Sequence, residues 1–96
     1  MRSLASVSTA NAAKYLAQLC KHWSHRFAVA FDATAGRIET PAGVCLLTAA
    51  PGRLGVVIEA RDEAALTRLE DVLAEHLNRF AFREGALRFA WTRTST

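Results

Sequence analysis

Apolar residues recur at three- and four-residue spacing through Ala12, Tyr15, Leu16, Leu19, Cys20, Trp23 and Phe27, which places them on one face of a helix. The spacing predicts a helix running to about Arg26, capped at Asn11, whose side chain can accept from the free amides of the first turn. A second stripe, Leu66, Leu69, Leu73, Leu77 and Phe80, predicts another helix. Asp62 is a good cap for it, and Glu63 faces the positive end of its dipole. Glu75 and Arg79 then stand one turn apart on its solvent side.

Elsewhere the period shortens to two. Leu4–Thr9, Ala28–Asp32 around Val29 and Phe31, Arg37–Thr40, Val44–Ala49 and Leu54–Ala60 read as strands. Asp32–Gly36, Pro41-Ala42-Gly43 and Pro51-Gly52-Arg53 supply the turns between them. Gly85 breaks the chain before a last predicted strand, Ala86–Thr92, with Leu87, Phe89 and Trp91 on one side. The tail Ser95-Thr96 is expected to fray. The order β-α-β-β-β-β-α-β makes one α+β domain over residues 1–96. It is a two-layer sandwich, with two helices on one face of a mostly antiparallel sheet.

Composition supports a folded domain. Of 96 residues, 51% are hydrophobic and 22% charged, which excludes disorder and provides a core for a chain of this size. The net charge of +3 is mild and the arginines are interspersed with acids, so no nucleic-acid partner is expected. Arg37, Glu39, Glu59, Arg88 and Arg53 are expected on the uncovered sheet face, with Phe31, Phe89 and Trp91 on the helix side. That arrangement lacks the exposed aromatics of a single-strand-binding sheet. No run approaches the roughly 20 apolar residues of a bilayer span, and Met1–Thr9 lacks a signal-peptide core. A cytoplasmic protein without a membrane partner is the expectation, with Cys20 and Cys45 as buried, reduced packing residues.

Candidate chemistry is concentrated in Cys20-Lys21-His22-Trp23-Ser24-His25-Arg26. Lys21, His22, His25 and Arg26 form a candidate basic patch for an anionic ligand. The same cations also suit the carbonyl end of a helix, which attracts positive charge without any ligand. His22 and His25 are compatible as metal ligands at i,i+3, but Cys20 points to the packed side. Antiparallel helices would set His76 roughly 20 Å from them, so three histidines would converge only between subunits. Asp62 or Glu63 is expected to pair with one of the two patch histidines. Ser24 and His25, as sequence neighbours, make a poor nucleophile–base pair.

Tyr15-Leu16, Gln18 through His25, Phe31-Asp32, Gly36, Ile38, Gly43-Val44-Cys45, Leu69-Glu70 and His76 through Glu84 together resemble a bacterial family, domain of unknown function 2218. Thr40 departs from the aromatic expected before Pro41 in many relatives, leaving the adjacent surface less apolar. The resemblance implies a bacterial source and a compact α+β domain. Because such domains occur with flavin-dependent siderophore-interacting proteins, it also implies a link to iron or siderophore metabolism. It carries over no catalytic residue and no cofactor. The function expected is an accessory or ligand-binding domain for a small anionic ligand or a protein partner. The alternative is a metal-dependent or histidine-based enzyme whose site is completed between subunits of a homodimer.

Overall fold

The computed structural model describes residues 1–94, so the expected fraying of Ser95-Thr96 lies outside the described residues. The elements are β1 (Arg2–Ser8), α1 (Ala12–Trp23), β2 (Ala28–Phe31), β3 (Ala35–Thr40), β4 (Gly43–Ala50), β5 (Arg53–Ala60), α2 (Glu63–Phe80) and β6 (Thr92–Thr94). They form a six-stranded sheet in the order β2-β3-β4-β5-β1-β6, and every pairing is antiparallel. Tight turns join β2 through β5, and α1 crosses the sheet from β1 to the far edge at β2. Both helices pack on the same face, α1 mainly over β3 and β4 and α2 mainly over β5. The two-layer α+β architecture is the one expected from the alternating periods.

The core lies between these layers. Leu16, Leu19 and Cys20 of α1, and Leu66, Leu73 and Leu77 of α2, meet Val7, Ile38, Cys45, Leu54, Val56 and Ile58 of the sheet, all fully buried. Burial pushes the Cys20 thiol up to about 11 and the Cys45 thiol to about 12, so both are protonated near neutrality. They are not bonded to each other, in keeping with packing roles. Gly43 lets β4 lie against β5, since a side chain there would collide with the backbone carbonyl of Glu59.

Several local expectations are corrected. The first helix stops at Trp23, not near Arg26. The Ser24 hydroxyl donates to the Lys21 carbonyl at 2.7 Å, and the Trp23 carbonyl accepts from the amides of both Arg26 and Phe27. These bonds close the helix in tight turns that leave His25 and Arg26 outside it. Asn11 sits at the N-cap, but its side chain makes no cap bond. It donates instead to Glu84 at 3.0 Å, while Thr9 Oγ1 accepts from the Asn11 amide at 3.1 Å. Asp62 does cap α2, accepting from the Ala65 amide at 2.8 Å, and Glu75 pairs with Arg79 at 2.6 Å.

The last strand is also shorter than its alternation predicts. Only Thr92–Thr94 pairs with β1, because the Leu87 amide is drawn to the Asn78 side chain at 2.6 Å. Residues 86–91 are not paired in the sheet. Leu87 is buried there, and Phe89 stacks on Trp91 with centroids 5.5 Å apart. Phe31 remains 41% exposed, because β2 is an edge strand.

Candidate functional site

The helices differ in length, and that difference shapes the site. At 1.5 Å per residue, α1 with 12 residues is about 18 Å long and α2 with 18 residues about 27 Å. They are pinned together at one end, where Glu84, just past α2, accepts from the Tyr15 hydroxyl and the Asn11 side-chain amide near the start of α1. From that pin the shorter helix ends against the C-terminal half of α2, where His22 and Trp23 meet His76. A groove of about 670 Å³ opens between that end of α1, the β3–β4 turn and the N-terminal part of α2.

Residues from four places line the groove. The end of α1 and the turn after it give His22, Trp23, Arg26 and Phe27. The β3–β4 turn gives Thr40, Pro41 and Ala42, shaped by Thr40 Oγ1 accepting from the Ala42 and Gly43 amides at 3.2 and 3.1 Å. Arg61 and Asp62 stand at the mouth of α2, and exposed Arg68, buried Leu69 and half-buried Val72 and His76 follow along it. Trp23 is buried in the wall and packs edge-on against both Phe27 and His76. The apolar surface is therefore aromatic at one end and aliphatic at the other.

The charge is one-sided. Arg26, Arg61 and Arg68 are exposed around the groove, and Asp62 is the one carboxylate among the described lining residues. Asp62 is already engaged, by the Ala65 amide and by Arg61 at 3.6 Å. Glu63 is turned to Arg93 at 3.5 Å, so neither acid makes the histidine pair expected from the sequence. The Arg26 guanidinium lies over the Phe27 ring, 5.7 Å from its centroid. Among the described residues, neither Arg26 nor Arg68 has an ion pair.

The four residues of the candidate basic patch are exposed, but only His22 and Arg26 face this groove. Lys21 and His25 are not among its lining residues. The placement of His76 is a correction. Its ring lies 5.2 Å from that of His22, centroid to centroid, not some 20 Å away, so these two histidines meet within one chain. Chain direction makes the helices antiparallel but does not fix their axial offset. Glu84, not Asp62, sets the axial register of the pair. Arg61 and Arg68 were missed as site residues. A visible signal was Arg68 beside Leu69 at the edge of the α2 stripe. Among the described residues, no group of three or more His, Cys, Asp or Glu side chains is placed to hold a metal ion.

Away from the groove, Arg93 clamps Glu70 with bonds of 2.5 and 3.1 Å, and the Ser3 hydroxyl donates to the same carboxylate at 2.5 Å. Burial pushes the Glu70 carboxyl up, but these donors outweigh it and hold it below the usual carboxylate range. This network ties β1, α2 and β6 together. No helix among the described residues is long and apolar enough to cross a membrane.

The class defined here is a small α+β domain whose two unequal helices leave a cationic, aromatic-walled groove on one face of an antiparallel sheet. The chain belongs to the bacterial family described as "Uncharacterized protein conserved in bacteria (DUF2218)", which it matches over residues 4–92. Its fold is similar to the NMR structure of PA4090 from Pseudomonas aeruginosa. The two are 35% identical with a TM-score of 0.83, and the match covers 99% of this chain and 98% of that one. No curated protein matches the sequence.

Proposed function

We propose that this chain is a ligand-binding domain whose groove takes a small amphipathic anion, with an aromatic or aliphatic body and a carboxylate or similar group. The observation that carries this reading is the pair Arg26 and Arg68, without ion pairs among the described residues, set beside the apolar wall of Trp23, Phe27, Leu69 and Val72. A guanidinium accepts a carboxylate in a two-pronged hydrogen bond, and the adjoining wall buries the rest of such a ligand. Pockets of a few hundred Å³ with mostly apolar walls and a few placed polar groups are the usual form of small-molecule sites.

The iron and siderophore link implied by the family resemblance enters here as one source of such anions. Aryl carboxylates and catecholates are chelating groups of that shape and charge. A cytoplasmic accessory role, delivering or retaining the anion for another protein, is the corresponding biological proposal.

Fluorescence titration tests the binding. Trp23 lies in the wall, so salicylate or 2,3-dihydroxybenzoate should change tryptophan emission saturably. Arg68→Gln should weaken binding by about tenfold, equivalent to about 1.4 kcal/mol for one charge-assisted contact. Emission that stays flat with both compounds, or equal affinity in Arg68→Gln, would count against the reading.

A further inference from the structure

The histidines of the groove support a second site. His22 comes from the last turn of α1 and His76 from the C-terminal half of α2, and their ring centroids are 5.2 Å apart with planes inclined at 48°. A metal-bound imidazole, with a metal–nitrogen distance of about 2.0–2.1 Å, has its ring centre about 3.2 Å from the ion. Two such rings at a tetrahedral angle are then about 5.2 Å apart. The two helices already hold the rings at that spacing.

The tautomer of His76 is also set. Its Nδ1 lies 2.8 Å from the Val72 carbonyl, an acceptor, so Nδ1 carries the proton and donates it there. Nε2 is left with the lone pair. Metal-binding imidazoles use the same outer hydrogen bond to fix ring orientation and raise ligand basicity. Phe80 packs edge-on to His22 at 6.4 Å and Trp23 edge-on to His76 at 5.2 Å, which restrains both rings. His22 is exposed and both histidines line the groove, so an ion can reach the space between them.

We propose that His22 and His76 form a two-imidazole site for a borderline divalent transition metal of the zinc or nickel type, with the other coordination positions open to exogenous ligands. Imidazole nitrogen suits these ions. A site with two protein ligands and no third converging group among the described residues keeps positions for water or for a chelating anion. This is the arrangement of an open site, not of a closed structural one. His25, although a neighbour of His22 in sequence, has no part in it. The proposal rests on the imidazole geometry and stands or falls independently of the anion reading.

Calorimetric titration of tag-free protein with zinc chloride, repeated with nickel chloride, is the test. One ion per chain is expected, with His22→Ala and His76→Phe each weakening affinity by at least about tenfold. His76→Phe keeps an aromatic ring against Trp23 and His22, so the core stays filled while the nitrogen is removed. His25→Ala should leave affinity within about twofold, well under the roughly 10–100-fold that losing even an outer-shell partner costs. In nitrogen NMR of the imidazoles, zinc should move the His76 Nε2 resonance far more than Nδ1. Absence of saturable binding at millimolar metal would overturn the proposal. So would loss of binding in His25→Ala with His76→Phe unaffected, which would place the ion on the exposed His22–His25 pair.

Discussion

Glu84 and Glu70 make the acid limb of this protein's stability, and Tyr15 the alkaline one. The Tyr15 hydroxyl, and next the Asn11 side-chain amide, hold the Glu84 carboxyl below its usual 4.5. The Glu70 carboxyl also lies below that value, because Arg93 and Ser3 outweigh its burial. A lowered folded pKa gives stability that is fully present above the unfolded value and is lost as pH falls through the folded one. Glu84, followed by burial, raises the Tyr15 phenol above its usual 10.0. That contribution is present below the unfolded value and is lost as pH rises through the raised one. Urea midpoints should therefore form a plateau from about pH 5 to 9 and fall on both sides. Glu84→Gln should remove most of the alkaline fall and leave the acid fall that Glu70 supplies. An alkaline fall unchanged in Glu84→Gln would show that the Tyr15–Glu84 contact is not its source.

At the scale of elements, Asp62 has two roles that separate on mutation. It caps α2 through the Ala65 amide, and it is the carboxylate in the groove lining. Asp62→Ala should lower stability by about 1 kcal/mol, the usual cost of losing a side-chain cap. The same change removes the negative charge beside Arg61 and should strengthen anion binding. Denaturant midpoints and ligand titration on one variant read both effects, and weaker anion binding in a fully folded variant would contradict the second.

The elements were largely legible because each stripe repeats several times, as in Leu66, Leu69, Leu73 and Leu77, where burial decides the structure. Their ends were less legible, since each depends on one or two polar groups. The turn in which the Trp23 carbonyl accepts from the Arg26 amide, with the Ser24 hydroxyl on the Lys21 carbonyl, ends α1 three residues early. The Asn78 side chain takes the Leu87 amide and keeps the alternating 86–91 segment out of the sheet. None of these bonds leaves a periodic trace in the sequence.

For the whole molecule, the groove opens at the early end of α1, whose last residues His22 and Trp23 line it. The density of His and Arg in residues 20–26 was visible in the chain, and His22 and Arg26 do face the groove. The other wall was not legible. Arg61, Arg68 and His76 are remote in sequence, and they join the site through the axial offset between helices that Glu84 pins at one end. A helix ending at Arg26 would have covered part of the space that the chain leaves open.

The most direct measurement is chemical-shift mapping on nitrogen-15-labelled protein titrated with 2,3-dihydroxybenzoate. Saturable shifts are expected only in the groove, at the Trp23 indole, the Arg26 and Arg68 side chains and the amides of Ala42, Leu69 and Val72. Saturable shifts centred instead on the opposite sheet face, around Arg37, Leu46 and Val57, or no saturable shifts at all, would contradict this.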